Sequence, residues 1–271
     1  MTTLTEQELA DIASYVKEHY GVNLAKKSSL IEGRLGFHIT ARGFPSYGAY
    51  FDFVKQDPSG REMADMINRL TTNHTYFLRE SDHFEYFVGE VMPWIESLPG
   101  SRDLRTWCAG CSTGEEPYGL SVYLLDYLAA HGLTNTWDSV ILASDISEKV
   151  LSDASEGIYT EENLSAMSKD RIQKYFTSLG DGLYKVTPTL RQNVAFRKIN
   201  LLESFEPKTP FHAIFCRNVM IYFDTETKVN LVNRFYDAIL PGGYLFIGHS
   251  ESLTTFEHRF QYIKPSIYRK K

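Results

Sequence analysis

From Leu104 onward the chain alternates short apolar runs with amphipathic helical patterns, and this rhythm restricts the fold more than any other feature. LRTWCA, SVILAS and FHAIFC read as strands, the last of them buried, and PYGLSVYLLDYLAA, SEKVLSDAS and KVNLVNRFYDAIL carry helical spacing. Strands separated by helices imply parallel crossovers, hence an open, mostly parallel α/β sheet. Pro241-Gly242-Gly243 is expected to turn the chain into a further strand, YLFIGH, and the apolar stretch around QYIKPSIYRK to add an edge strand.

Residues 1–81 carry no strand pattern. Thr5-x-x-Glu8 forms a capping box before Leu9, Ile12, Ala13 and Val16. Ser46 is placed to cap a helix with Tyr47, Tyr50, Phe51 and Val54 on one face, closed by Asp57-Pro58, and Met63, Met66, Ile67 and Leu70 repeat the spacing. An N-terminal all-helical domain follows. An aromatic helix bearing Phe84, Phe87, Val88, Val91 and Trp94 opens the second domain, 82–271. Within it, about 157–198 has a different texture: a polar helix, KDRIQKYF, and a hairpin of YKVTPTL with NVAFRKI after Gly180-Asp181-Gly182, together a small β insertion.

Composition narrows the class. With 43% hydrophobic and 23% charged residues the chain builds an ordinary globular core. The acidic beginning, MTTLTEQELADI, is unlike a secretory signal, and no apolar run is long enough to span a bilayer, so a cytoplasmic protein is expected. Three cysteines supply no disulfide framework. Cys108-x-x-Cys111 has neither a second pair nor a nearby His, and it reads as small residues at a strand end rather than as a redox or metal motif; no metal is expected. The net charge of −6 disfavours nucleic-acid binding. Against this acidic background AKKSSLIEGRLGFHITARG gathers Lys26, Lys27, Arg34 and Arg42 with only Glu32, which suits either an acidic protein partner or a solvated helix face.

In an open parallel sheet the ligand sits beyond the carboxyl ends of the strands. After LRTWCA comes Gly110-Cys-Ser-Thr-Gly114-Glu-Glu-Pro117, a loop that admits close approach to the backbone, with Pro117 placed to open the next helix. It lacks the G-x-G-x-x-G pattern, and Glu115 and Glu116 would repel a diphosphate at that helix start. A ligand with an ammonium group and ribose hydroxyls fits better, which favours S-adenosylmethionine over NAD. Asp145 ends the second strand, either as an acceptor for ribose hydroxyls or as the cap of the following helix. Arg217-Asn218 ends FHAIFC; a buried Arg requires a carboxylate, Asn218 suits a polar ligand edge or the backbone, and Tyr222 either packs as core or brings its hydroxyl to the site. Upstream, TTNHTYFLRE joins the two domains, where sites are commonly built.

Taken in order, TTNHTYFLRE with DHF, WCAGCSTGEEPYGL, ASDISEKVL, INLLES, FCRNVMIYF and LPGGYLFIGHSESL resemble the CheR family of chemotaxis methyltransferases over nearly the whole chain. The resemblance implies a class I S-adenosylmethionine methyltransferase sheet and transfer of methyl groups to glutamate side chains of chemoreceptors in the cytoplasm, leaving S-adenosylhomocysteine. It makes Asn73, Thr75 and Arg79 cofactor-facing, Asp145 the ribose acid, Asn200 and Leu201 adenine-side contacts, and Arg217 and Asn218 flanking residues. One of Glu115 and Glu116 faces the ligand, and Arg79 and Tyr222 stand by the acceptor. The family's helical domain offers a basic surface to receptor helices, matching Lys26, Lys27, Arg34 and Arg42; the membrane is met only through the receptors. Some relatives also hold a receptor C-terminal peptide through a glycine-rich loop in the β insertion. Here that loop, TSLGDGLYK, is short, which favours the anchor-independent kind. The alternatives are a methyltransferase for another acceptor, disfavoured by the missing Pro-Pro after Arg217-Asn218, and a cofactor- or nucleotide-binding module without catalysis.

Overall fold

The computed structural model describes residues 3–71, 75–100, 102–134 and 136–271. The chain divides into two compact units, Met1–Asn73 with Tyr222–Lys228, and His74–Ile221 with Val229–Lys271. Residues 75–81, expected with the helices, group with the sheet unit.

The first unit holds α1 (Glu6–Tyr20), α2 (Ser28–Ala41), α3 (Tyr47–Gln56) and α4 (Arg61–Leu70). The Thr5 hydroxyl accepts from the Glu8 N–H while the Glu8 side chain accepts from the Thr5 N–H, a complete capping box; Ser46 accepts from the Ala49 N–H at the head of α3. The apolar faces of these helices close over Val16, Ile31, Leu35, Tyr50, Met66 and Leu70, all buried.

The second unit opens with α5 (Asp82–Tyr86) and α6 (Met92–Ser97), joined by a π-helical turn over Phe87–Val91. It continues with β1 (Thr106–Ala109), α7 (Glu115–Ala130), β2 (Ile141–Asp145), α8 (Glu148–Glu156), β3 (Ile158–Thr160), α9 (Lys169–Tyr175), β4 (Phe176–Gly180), β5 (Leu183–Val186), α10 (Pro188–Gln192) and β6 (Val194–Lys198). Then come β7 (Phe211–Cys216), α11 (Thr225–Ala238), which begins in the first unit, β8 (Ile239–Ile247), β9 (Gln261–Lys264) and β10 (Ile267–Arg269). The main sheet has the order β6-β2-β1-β7-β8-β10-β9, parallel from β6 to β8 and antiparallel at the β10 and β9 edge. Every residue of β1 is buried, as both faces of a helix-covered parallel sheet require.

Two local expectations are corrected. The hairpin of the insertion is β4 with β5, turned by Asp181 and Gly182, both at positive φ as a two-residue primed turn demands. NVAFRKI is not its second arm: it is β6, parallel to β2 in the main sheet. Thr187 caps α10, with Pro188 in its first turn, and that short helix carries the chain from one sheet to the other. Pro241-Gly242-Gly243 likewise makes no turn between elements; it lies inside β8, where the β7 and β8 register shifts and Gly242 takes φ +82°.

Candidate active site

The strand ends that should carry chemistry lie side by side, since Ala109 registers with Ser144, Asp145 with Lys198 and Cys108 with Phe215. Strand order runs outward from β1 through β2 to β6 and from β7 to β8, so the switch point falls between β1 and β7.

The loop after β1 is held by its neighbours. Gly110 and Cys111 donate to the Ser144 carbonyl, both at 2.8 Å, and Tyr159 donates its hydroxyl to the Thr113 carbonyl at 2.7 Å. Only glycine fits at two places: a Cβ on Gly110 would stand 2.4 Å from Val219, and one on Gly114 2.9 Å from both Ala154 and the Tyr159 hydroxyl. Ser112, between them, is also left-handed at φ +48°.

Asp145 ties this loop to β2. One carboxylate oxygen accepts from the Ser112 N–H and the other from the Ser147 N–H, each at 3.0 Å. Burial pushes its carboxyl above the ordinary range, against the pull of these amides. The cap of α8 is Ser147, whose hydroxyl accepts from the Val150 N–H, so Asp145 is not the cap.

The two acids diverge. Glu115 accepts from the Thr113 hydroxyl at 2.7 Å, and Glu116 pairs with Arg217 at 3.0 Å. Burial raises both carboxyls, for Glu116 against the opposing guanidinium. Glu116 Oε1 and the Ser112 hydroxyl are buried with no hydrogen-bond partner in the protein.

Arg217, its side chain 2% exposed, finds two carboxylates: Glu116, and Glu80 at 3.1 Å. It also donates to the Arg79 carbonyl and stacks over the Phe84 ring. Leu78 and Glu80 take φ +60° and +54°, a costly backbone that turns the Arg79 carbonyl and the Glu80 carboxylate toward one guanidinium. The Arg79 side chain is half-buried beside Tyr76 and Glu80, and Thr75 is half-buried. Asn73 lies outside the described residues.

Asn218, at φ +59°, donates its N–H to Glu251 at 2.9 Å; Glu251 also accepts from the N–H groups of Gly248 at 2.6 Å and Ile221 at 3.1 Å. A single carboxylate thus binds together the ends of β7 and β8. Asn200 and Leu201 follow β6; the Asn200 side chain accepts from the Leu202 N–H and donates to Glu203, and Leu201 is buried. Tyr222 belongs to the helical unit, where its carbonyl accepts from the Asn23 N–H at 2.8 Å and its ring packs on that unit's core.

The four cations of the basic patch have different employment. Lys26 and Lys27 are exposed before α2. Arg34 donates to the carbonyls of Arg69 and Thr71, and Arg42 pairs with Glu62, which offsets its charge. The patch is less basic than its sequence, and it carries an apolar feature the charges hid: Phe37 on α2 is 81% exposed. Sequence reasoning also missed Glu80, His83 and Glu251. Glu251 follows a strand end, so the rule that found Arg217 would have found it. The cysteines are free and buried, with their thiols pushed well up by burial.

This open parallel sheet has the fold of a class I S-adenosylmethionine methyltransferase domain, and the family comparison agrees. Residues 73–269 match the CheR methyltransferase SAM binding domain, and 7–71 the CheR methyltransferase all-alpha domain. The chain belongs to the CheR methyltransferase family. The chemotaxis protein methyltransferase of Borreliella burgdorferi is 39% identical over 98% of this chain and 95% of its own. That of Salmonella typhimurium is 35% identical over 98% and 90%, and chemotaxis protein methyltransferase 1 of Pseudomonas aeruginosa 35% over 91% of each. Among the described residues no helix is long and apolar enough to cross a membrane.

Proposed function

We propose that the protein methylates glutamate side chains of chemoreceptors with S-adenosylmethionine, giving methyl esters and S-adenosylhomocysteine. The observation that carries this reading is similarity to relatives named chemotaxis protein methyltransferase along both the helical and the sheet domain. The residues present suit the cofactor: the Gly110–Gly114 loop has no room for a Cβ at either end, and Glu116 Oε1 and the Ser112 hydroxyl await partners that ribose or ammonium donors would provide.

S-adenosylmethionine supplies a methyl group on a positively charged sulfur. In this reading Asp145 accepts from the ribose hydroxyls, Asn200 and Leu201 border the adenine, and the acids at the head of α7 with Asn73, Thr75, Arg79, Arg217 and Asn218 receive the remainder. A glutamate acceptor, with a reference pKa of about 4.3, is ionised at neutral pH and needs no general base. Alignment and dehydration of that carboxylate are what remain, and proximity is worth about 7–11 kcal/mol in favourable cases. Arg79 offsets the acceptor charge and Tyr222 donates it a hydrogen bond. Lys26, Lys27, Arg34 and Arg42, with Phe37, form the receptor-facing surface.

Calorimetric titration with S-adenosylmethionine tests the cofactor part. Asp145→Ala is expected to weaken binding by about 1.5–3 kcal/mol, the worth of hydrogen bonds to a charged group; no binding by the unsubstituted protein would overturn the reading. Arg79→Ala should lower receptor turnover far more than it weakens cofactor binding, and turnover at the original rate would remove Arg79 from the acceptor side.

A further inference from the structure

Beside the Arg217 cluster lie groups that methyl transfer does not use. His83, in the first turn of α5, is fully buried, yet neither ring nitrogen has a hydrogen-bond partner in the protein. Buried imidazoles rarely stand so, because an unpaired buried polar atom is costly. Its Nδ1 faces Glu80 Oε2 at 3.8 Å, and the His249 ring stands edge-on with centroids 4.9 Å apart. One donor atom each from Glu80, His83 and His249 lie within 4.8 Å of one another.

We propose that Glu80, His83 and His249 form a binding site for a divalent transition-metal ion of the zinc class. Two imidazoles and one carboxylate are the donors such an ion prefers, whereas magnesium and calcium require oxygen throughout. Metal–nitrogen bonds of about 2.1 Å in a tetrahedral site place the donors about 3.4 Å apart. The three must therefore draw together by up to roughly 1.4 Å. His249 supplies that movement, since it lies on an exposed loop just after β8 while His83 is locked in the core. Asp82 Oδ1 already lies 3.2 Å from His249 Nε2, and a carboxylate against a liganding imidazole fixes the ring and raises its basicity. The Glu80 oxygen that faces His83, Oε2, is also the one Arg217 holds, so ion and guanidinium share it, one on each lone pair. Arg217 and Lys264 oppose positive charge at His83, so the site is weaker than a structural zinc centre.

This site stands whether or not the methyl-transfer reading does, and it is tested without an activity assay. The full chain is titrated with Co²⁺, followed by visible absorption, and with Zn²⁺, followed by calorimetry. The expected result is one metal per chain, a cobalt band that zinc abolishes, and at least about a tenfold loss of affinity in His249→Ala. That variant removes an exposed side chain and leaves the core intact; His83→Gln, isosteric enough to hold its cavity, should abolish the band. Absence of a cobalt band in the unsubstituted protein, or unchanged zinc affinity in His249→Ala, would overturn the proposal and assign the space at His83 to ordered water.

Discussion

The two units each contain an arginine–glutamate pair, and the pairs do opposite work. Arg42 and Glu62 meet on the surface of the helical unit, with side chains 32% and 26% exposed. Arg217 meets Glu116 and Glu80 under the sheet's switch point, with the arginine almost wholly buried. Water replaces either partner of the first pair at little cost. In the second, desolvation has already been imposed on all three charges, so each exists only because the others do. A pair that contributes little on a surface therefore becomes, when buried, a device for fixing geometry: it draws the Arg79–Glu80 backbone, the head of α7 and the end of β7 to one point.

Arg217→Met should break that contrast most visibly. It leaves Glu80, Glu116 and the Arg79 carbonyl without their donor, and the expected loss is about 3–5 kcal/mol in urea denaturation. If Arg42→Met cost as much, burial would not be what separates the pairs.

A second buried cationic candidate sharpens the point through pH. His212, at the start of β7, accepts from the Arg105 N–H at 3.1 Å, and burial, aided by the Arg105 charge, pushes its pKa down to about 4. Between about 6.5 and 4 the unfolded chain binds a proton that the native sheet does not, so stability falls as pH drops through this window. Denaturation at pH 7 and pH 5 should differ by about 1–2 kcal/mol more for the original protein than for His212→Gln.

The helical unit should respond less. Thr5→Ala dismantles the capping box and is expected to cost about 1 kcal/mol, read from the thermal unfolding of the full chain. Arg42→Met is the smallest, below about 1 kcal/mol, and should vanish in high salt.

Much of this was legible beforehand where one local cause suffices. Thr5 and Ser46 cap where expected because a hydroxyl answers amides three residues away. FHAIFC is β7 to the residue, because a run buried on both faces has no other use in an α/β chain. The errors share a different cause. YKVTPTL and NVAFRKI are both strand-like and close in sequence, yet β5 pairs locally while β6 crosses to β2, a choice made by partners dozens of residues away. The partners of Arg34 and Arg42 were likewise invisible in the sequence, since α4 and the residue after it supply the acceptors.

Periodicity, caps and strand ends by themselves determined the open parallel sheet, the helical unit and the positions where chemistry gathers, because each depends on neighbours within a turn or a strand. The tertiary structure alone decided who faces whom: Arg217 with Glu80 and Glu116, Asp145 between Ser112 and Ser147, Glu251 beneath Asn218, and His83 with Glu80 and His249. Such pairings join residues far apart in the chain, and their energies depend on desolvation, which exists only after the fold has closed.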